Sequence, residues 1–247
     1  MIKVANSWLK EINISRYSNP KLLSSYVDKR VSRVERFLVK SFVKPGLRVL
    51  DVGCGSGGLL VELSLLGAKA TGLDFSATML DIARQRLKSK GLKARLVLGD
   101  IARFKKASFF DMGVMFGNVF SLIPGCERSL VLRQVYDCLK PDGLFLFNED
   151  STFYPDVKTW FKMLWDYVRF KPRYKQFRLG DVILEDDHGK VFFHLSNPLV
   201  TINLVKKYFK VLRVVNSKLE SNWTIFFKKQ PLYYICIKRN KEDNSKI

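Results

Sequence analysis

VLDVGCGSGG, residues 49–58, runs from apolar residues through a single acid into a glycine-rich turn. Read from Gly53, it spells Gly-x-Gly-x-x-Gly through Gly55 and Gly58, a pattern in which glycines let a helix N-terminus approach a pyrophosphate. Read from Asp51, the same letters spell Asp-x-Gly-x-Gly-x-Gly through Gly53, Gly55 and Gly57. Glycine spacing alone does not separate the two.

Outward from this loop, short Val/Leu/Ile-rich runs alternate with amphipathic stretches: LRVLDVG, LLVELSLL, AKATGLD, ATMLDIARQRLKSK, ARLVLGD, DMGVMF, SLVLRQVYDCL and GLFLFNED. Buried strands alternating with helical periodicity imply βαβ units and a mostly parallel α/β sheet covered on both faces, placed here at residues 46–150. Ligands of such sheets sit at the carboxyl ends of the strands. Residues 1–45 read as a helical cap, with PKLLSSYVDKRVSRVERFLVKSF as one amphipathic helix ended by Pro45-Gly46. Residues 151–196 read as an inserted, aromatic and basic segment with a hairpin turning at Asp187-His188-Gly189. Residues 197–240 return to the core pattern through a helix opened by Asn197-Pro198 and two strands, KVLRVVNS and LYYICIK. All of these are expected within one domain, 1–247.

The acids discriminate between the two glycine spellings. Asp51 at the end of the first strand would repel a pyrophosphate and attract a ligand carrying an amino group and a sulfonium. Asp74 ends the second strand, where its carboxylate can accept from both hydroxyls of a ribose, or favour the start of the next helix. Asp100 ends the third, where it can accept from an exocyclic adenine amine. Three carboxylates at successive strand ends describe a pocket for a cationic nucleoside.

With VLDVGCGSGG, ATGLDFSATMLDIAR, LVLGDI, FDMGVMFGNVFSLI and CLKPDGLFLFNED in this order, the chain resembles the class I S-adenosylmethionine-dependent methyltransferases over roughly residues 25–150. The resemblance implies a Rossmann-like, seven-stranded, mostly parallel sheet with helices on both faces, an antiparallel final strand and a small insertion after the fifth strand. It implies S-adenosylmethionine as cofactor, with Asp51, Gly53, Gly55 and Gly57 at the methionine part and Asp74 at the ribose. Phe75, Met79, Asp100 and Ile101 would then line the adenine, and Phe116 with Gly117 would border the sulfonium. Tyr26, Arg30 and Arg33, at helical spacing upstream, are lid candidates, one Arg pairing the methionine carboxylate, or else a solvated helix face.

Methyl transfer from a sulfonium needs positioning more than acid–base chemistry, so the acceptor is hard to read. MFGNVF lacks the Pro-Pro-aromatic loop of exocyclic-amine methylation, and Cys126 does not stand in the Pro-Cys of a nucleophilic thiolate. An N or O nucleophile of a small molecule is the expected acceptor, resembling in FGNVFSLI the small-molecule branch. The substrate wall is expected in residues 153–180 and the hairpin 182–195, with His194 and Tyr154 as candidate bases and Trp160, Trp165, Tyr167, Tyr174, Arg169 and Arg173 as further groups. The alternative is a cap helix whose Phe161, Leu164, Trp165 and Val168 cover the core.

Net charge is +20, and it concentrates at both ends: residues 1–45 carry 10 Lys and Arg against 3 acids, residues 201–247 carry 11 against 3. Such ends attract nucleic acid, an acidic partner or an anionic surface, or simply solvate the protein. An RNA or protein acceptor is therefore the runner-up, and a non-catalytic cofactor-binding module a third reading. The four cysteines form no Cys-x-x-Cys pair, so no metal or disulfide is expected. No apolar run approaches the roughly 20 residues of a bilayer span, and the first residues show no leader pattern, so a cytoplasmic protein is expected.

Overall fold

The computed structural model describes residues 8–27, 30–150, 157–222, 226 and 230–239. Strands β1 (Arg48–Val52), β2 (Lys69–Asp74), β3 (Arg95–Leu98), β4 (Phe110–Met115) and β5 (Leu139–Asp150) pair in parallel, in the order β3-β2-β1-β4-β5. β9 (Pro231–Lys238) joins β5 antiparallel and β8 (Phe209–Val215) closes the edge, giving seven strands with one reversed. This is the expected α/β sheet. The order reverses direction between β1 and β4, and that switch point is where an open sheet leaves a crevice for a ligand.

Alternation along the strands divides the apolar residues between two cores. Leu50 and Val52 of β1, with Phe145 and Phe147 of β5, face α6 (Arg128–Cys138) and α8 (Pro198–Val205). Val49, with Val114 and Leu146, faces α3 (Arg33–Phe42), α4 (Gly58–Leu65) and α5 (Ala77–Ser89). Each fully buried Leu, Val or Phe contributes about 1.5–3 kcal/mol, so the two-sided burial holds the sheet rigid. Asp51 lies two residues after Val49 and shares its face.

The N-terminal segment differs from the single expected helix. It forms α1 (Trp8–Arg16), α2 (Pro20–Val27) and α3, with Val31 and Ser32 outside any helix and residues 28–29 outside the described set. The physical reason is a capping box: Ser32 Oγ accepts from Glu35 N at 3.2 Å, and Glu35 Oε2 accepts from Ser32 N at 3.0 Å, which starts a new helix there.

After β5 the chain forms α7 (Val157–Phe170) and a separate hairpin, β6 (Asp181–Asp186) with β7 (Gly189–His194), turning at the expected residues. Asn197 caps α8 as expected, its side chain accepting from Leu199 N at 2.8 Å. The hairpin packs on α1 and on the loop that follows β4, where Gly125 N donates to Asp181 Oδ1 at 3.0 Å. Leu9, Phe177 and Phe192 are its buried centre, flanked by Trp8, Ile12, Tyr167, Phe170 and Tyr174. Asn13 of α1 fixes the contact by donating to Phe192 O at 3.3 Å and accepting from Phe192 N at 3.0 Å.

Candidate functional site

A cavity of about 330 Å³ opens at the switch point, within the size range of small-ligand sites. Its floor is the glycine loop with the ends of β1, β2 and β4: Asp51, Gly53, Gly55, Asp74, Phe75, Phe116 and Gly117. Met79, Asp100 and Ile101 form a side wall, and Leu122, Ile123 and Pro124 another. Lys10, Asn13, Ile14 and Tyr17 of α1, with Tyr26, Arg30, Val31 and Glu35, cover it.

The loop bends so tightly that two glycines are obligatory. Gly53 has φ 72°, and a Cβ there would stand 2.6 Å from a Val119 methyl; Gly57 has φ 77°, and a Cβ there would meet Ala83 at 2.8 Å. Gly57 is the N-cap of α4 and packs that helix on α5; it is not among the described residues lining the cavity. Asp74 ties the loop down: its Oδ2 accepts from Gly55 N at 2.8 Å and its Oδ1 from Ser76 N at 2.9 Å. The N-cap of α5 is Ser76, not Asp74, its Oγ accepting from Met79 N at 3.3 Å. Burial pushes the Asp74 carboxyl upward while these amides pull it down.

Asp51 is the electrostatic centre. It is buried, its Oδ2 has no hydrogen-bond partner, and burial, reinforced by the charges of Asp74 and Glu35, pushes its carboxyl up to about 8. A buried carboxyl with an unpaired oxygen is costly unless a cation or donor arrives. The arrangement is therefore built to receive positive charge. It is the wrong surface for a pyrophosphate.

Several positions depart from expectation. Asp100 Oδ1 accepts from Ala102 N at 2.9 Å, capping a short 3₁₀ turn, and its Oδ2 holds Lys10 Nζ at 2.7 Å, which also contacts Glu127. Arg33, first residue of α3, is exposed and does not line the cavity, because the break before Ser32 turns it outward; Tyr26 and Arg30 do line it. His194 is part-buried away from the cavity, its Nδ1 2.7 Å from Asp181 Oδ1, and Asp181 also accepts from Gly125 N and Arg178 N. Desolvation holds its imidazole below the usual range despite that carboxylate. This is a structural pin for the hairpin. Tyr154 lies outside the described residues.

Among the described residues, α1 takes the covering place expected of residues 153–180 and 182–195; residues 153–156 of that expected wall lie outside the described set. No described residue between 157 and 195 lines the cavity, and Phe161, Leu164, Trp165 and Val168 face solvent instead of covering a core. Lys10, Asn13, Tyr17 and Glu35 were not singled out by sequence reasoning. The Ser32-x-x-Glu35 capping box was the available signal for the last, whereas α1, nine residues long, is too short to announce itself by periodicity. Cys126 is half-buried and burial raises its thiol, in keeping with a packing role.

A strand-order reversal, a glycine loop and a buried acid at the first strand end define a Rossmann-like cofactor-binding domain. Residues 49–143, which hold the glycine loop and β1 to the start of β5, match the family model described as "Methyltransferase domain". A demethylmenaquinone methyltransferase of Leptospira interrogans is 36% identical over 135 residues, 51% of this chain and 50% of that protein. The chain spans about half the length of the curated relatives it matches. Among solved structures, an S-adenosylmethionine-dependent methyltransferase of Methanosarcina mazei superposes with TM-score 0.66 at 20% identity, covering 85% of this chain and 99% of that one. The 1,6-didemethyltoxoflavin-N1-methyltransferase of Burkholderia thailandensis, solved with bound 1,6-didemethyltoxoflavin and S-adenosylhomocysteine, gives 0.65 at 13% identity, covering 94% and 89%. At these identities the structures establish a shared fold.

Proposed function

We propose that the protein transfers the methyl group of S-adenosylmethionine to an N or O nucleophile of a small molecule. The observation that carries this reading is Asp51: a buried carboxyl with a free oxygen, beside Asp74 and Glu35, in a cavity whose other walls are largely apolar. The residues present fit the cofactor. Asp51 takes the amino group, the amides after Gly53 and at the start of α4 face the methionine carboxylate, and Arg30 replaces Arg33 as the guanidinium available to pair with it. Asp74 accepts from the ribose, Phe75, Met79 and Ile101 sandwich the adenine, and Asp100 shares its oxygens between Lys10 and the adenine amine. Phe116 and Gly117 border the sulfonium.

Bound there, S-adenosylmethionine supplies an already activated methyl carbon. What the chain contributes is alignment of the acceptor, exclusion of water beneath α1 and α2, and a net negative wall around the positive centre. None of these requires a general base; one is needed only where the nucleophile must first lose its proton, and His194 stands away from the cavity. A covered cavity favours a small acceptor. The RNA or protein reading is weakened because Lys10, Arg16 and Arg36 of the basic N-terminal segment are engaged with Asp100 and Glu127, Asp186, and Glu62.

Calorimetric titration with S-adenosylmethionine tests the cofactor; an intact protein that does not bind it would sink the reading. Labelled methyl transfer into fractionated extract then identifies the acceptor. Label recovered in RNA or protein in place of a small molecule would favour the runner-up.

A further inference from the structure

Helix α7 presents an apolar face to solvent. Trp160, Phe161, Leu164, Trp165 and Val168 are each between 37 and 63% exposed. At about 100° per residue these five fall within an arc of about 140°. Single exposed apolar residues are ordinary; a contiguous stripe of two tryptophans, a phenylalanine and two aliphatics on one helix is not. The opposite arc is the one that docks on the protein: Asp166 is buried and accepts from Ile183 N at 3.0 Å, while Tyr167 and Phe170 join the cluster around Phe177. The helix is thus anchored on one side and open on the other.

Charge identifies what the open side fits. Between the two arcs stand Lys158, Lys162 and Arg169, and the turn that follows adds Lys171, Arg173, Lys175 and Arg178. Residues 157–178 hold seven Lys and Arg against one acid, Asp166, which is buried and paired with Lys162 at 2.6 Å. Lys158, Arg169, Arg173, Lys175 and Arg178 are exposed.

We propose that α7 is a peripheral docking site for an anionic lipid bilayer. A helix about 21 Å long with aromatic and aliphatic side chains on one arc and cations beside them lies flat in the interface, apolar face among the acyl chains and cations at the headgroups. Tryptophan favours that depth, and anionic lipid attracts the flanking Lys and Arg. A second copy of the chain suits the surface less well, since stacking two such helices opposes like charges. RNA would satisfy the cations and leave the apolar arc in water. No described helix is long and apolar enough to cross a membrane, so the contact is with one leaflet. Because Trp8 of α1 packs on Phe170 and Tyr174, at 5.3 and 4.6 Å, the docked helix is joined directly to the helix that covers the cavity.

The test is co-sedimentation of the full chain with vesicles of phosphatidylcholine containing about a third phosphatidylglycerol, against phosphatidylcholine alone. We expect binding to the anionic vesicles, weakened by salt, and a fall of at least tenfold in partition for Phe161→Asp/Trp165→Asp. The charge variant Arg169→Glu/Arg173→Glu should weaken binding as well. Both pairs are exposed, so S-adenosylmethionine binding should be unchanged and serves as the check on folding. Vesicle binding needs no cofactor, so its outcome is separate from the methyltransferase reading. Equal binding to both vesicle types, no binding, or full binding by the Asp variant would overturn the proposal. A concentration-dependent dimer of the free protein that the same Asp substitutions disperse would overturn it in favour of an interface between copies.

Discussion

Asp51 shows how one residue can set both the affinity and the stability of this domain. Its carboxyl is raised to about 8 in the folded chain, first by burial and then by Asp74 and Glu35, against about 3.9 in an unfolded one. Between those values the native state binds the extra proton, so the apo protein should lose stability as pH rises from about 4 to about 8 and level off above. A cationic cofactor needs the carboxylate, so S-adenosylmethionine should bind more tightly as pH rises toward 8 and should release protons on binding below that. Calorimetry in buffers of different ionisation enthalpy reads the proton count directly. Asp51→Asn should remove the proton release and weaken binding by about tenfold to a hundredfold, the range of one charge-assisted hydrogen bond. In the apo state the same variant should melt a few degrees higher than wild type at pH 9, and the advantage should vanish near pH 4. Asp74→Ala should fail differently, losing cofactor binding outright, since it also releases Gly55 N and Ser76 N from their acceptor. Both acids are legible in the sequence because strand ends and glycine turns bracket them. The unpaired oxygen of Asp51 is not, because it depends on which residues of α3 and β2 surround it.

At the scale of elements, α1 decides how closed the site is, and polar contacts join the apolar packing of Leu9 and Trp8 in holding it. Lys10 bridges Asp100 and Glu127, and Asn13 donates to Leu122 O at 3.4 Å besides its two bonds to Phe192. Lys10→Met should therefore loosen α1 without touching the sheet. Amide exchange should accelerate in residues 8–16, and cofactor should dissociate about tenfold faster; unchanged exchange there would mean the apolar contacts of Leu9 and Trp8 suffice. Ser32→Ala, which removes one half of the capping box, should cost about 1 kcal/mol and fray the start of α3, near Glu35 and Gly117. The strands and helices of the core were readable because period-2 and period-3.6 patterns are strong over β1–β5 and α4–α6. The N-terminal helices were not. The apolar spacing through Leu22, Tyr26, Val34 and Leu38 is continuous across a break that only the cap at Ser32 reveals, and α1 gains its place from contacts with a hairpin nearly two hundred residues away.

Across the whole molecule, the N-terminal helices, the glycine loop and the third and fourth strand ends meet around one cavity, so a ligand there should stabilise segments far apart in sequence. At a free concentration a hundred times its Kd, S-adenosylmethionine should add about 2.7 kcal/mol. For a domain of this size each kcal/mol is worth about 2–4 °C, so Tm should rise by about 5–11 °C. The accompanying exchange protection should appear in α1 through Asn13 and Tyr17, in the loop at 53–56 and in the turn after β4, but not at the far edge in β8. Protection limited to the loop would show that α1 does not close on the cofactor. The same scan on Lys10→Met should keep the loop protection and lose that of α1, because Lys10 is the side chain that couples the cover to Asp100, the acid at the end of the third strand.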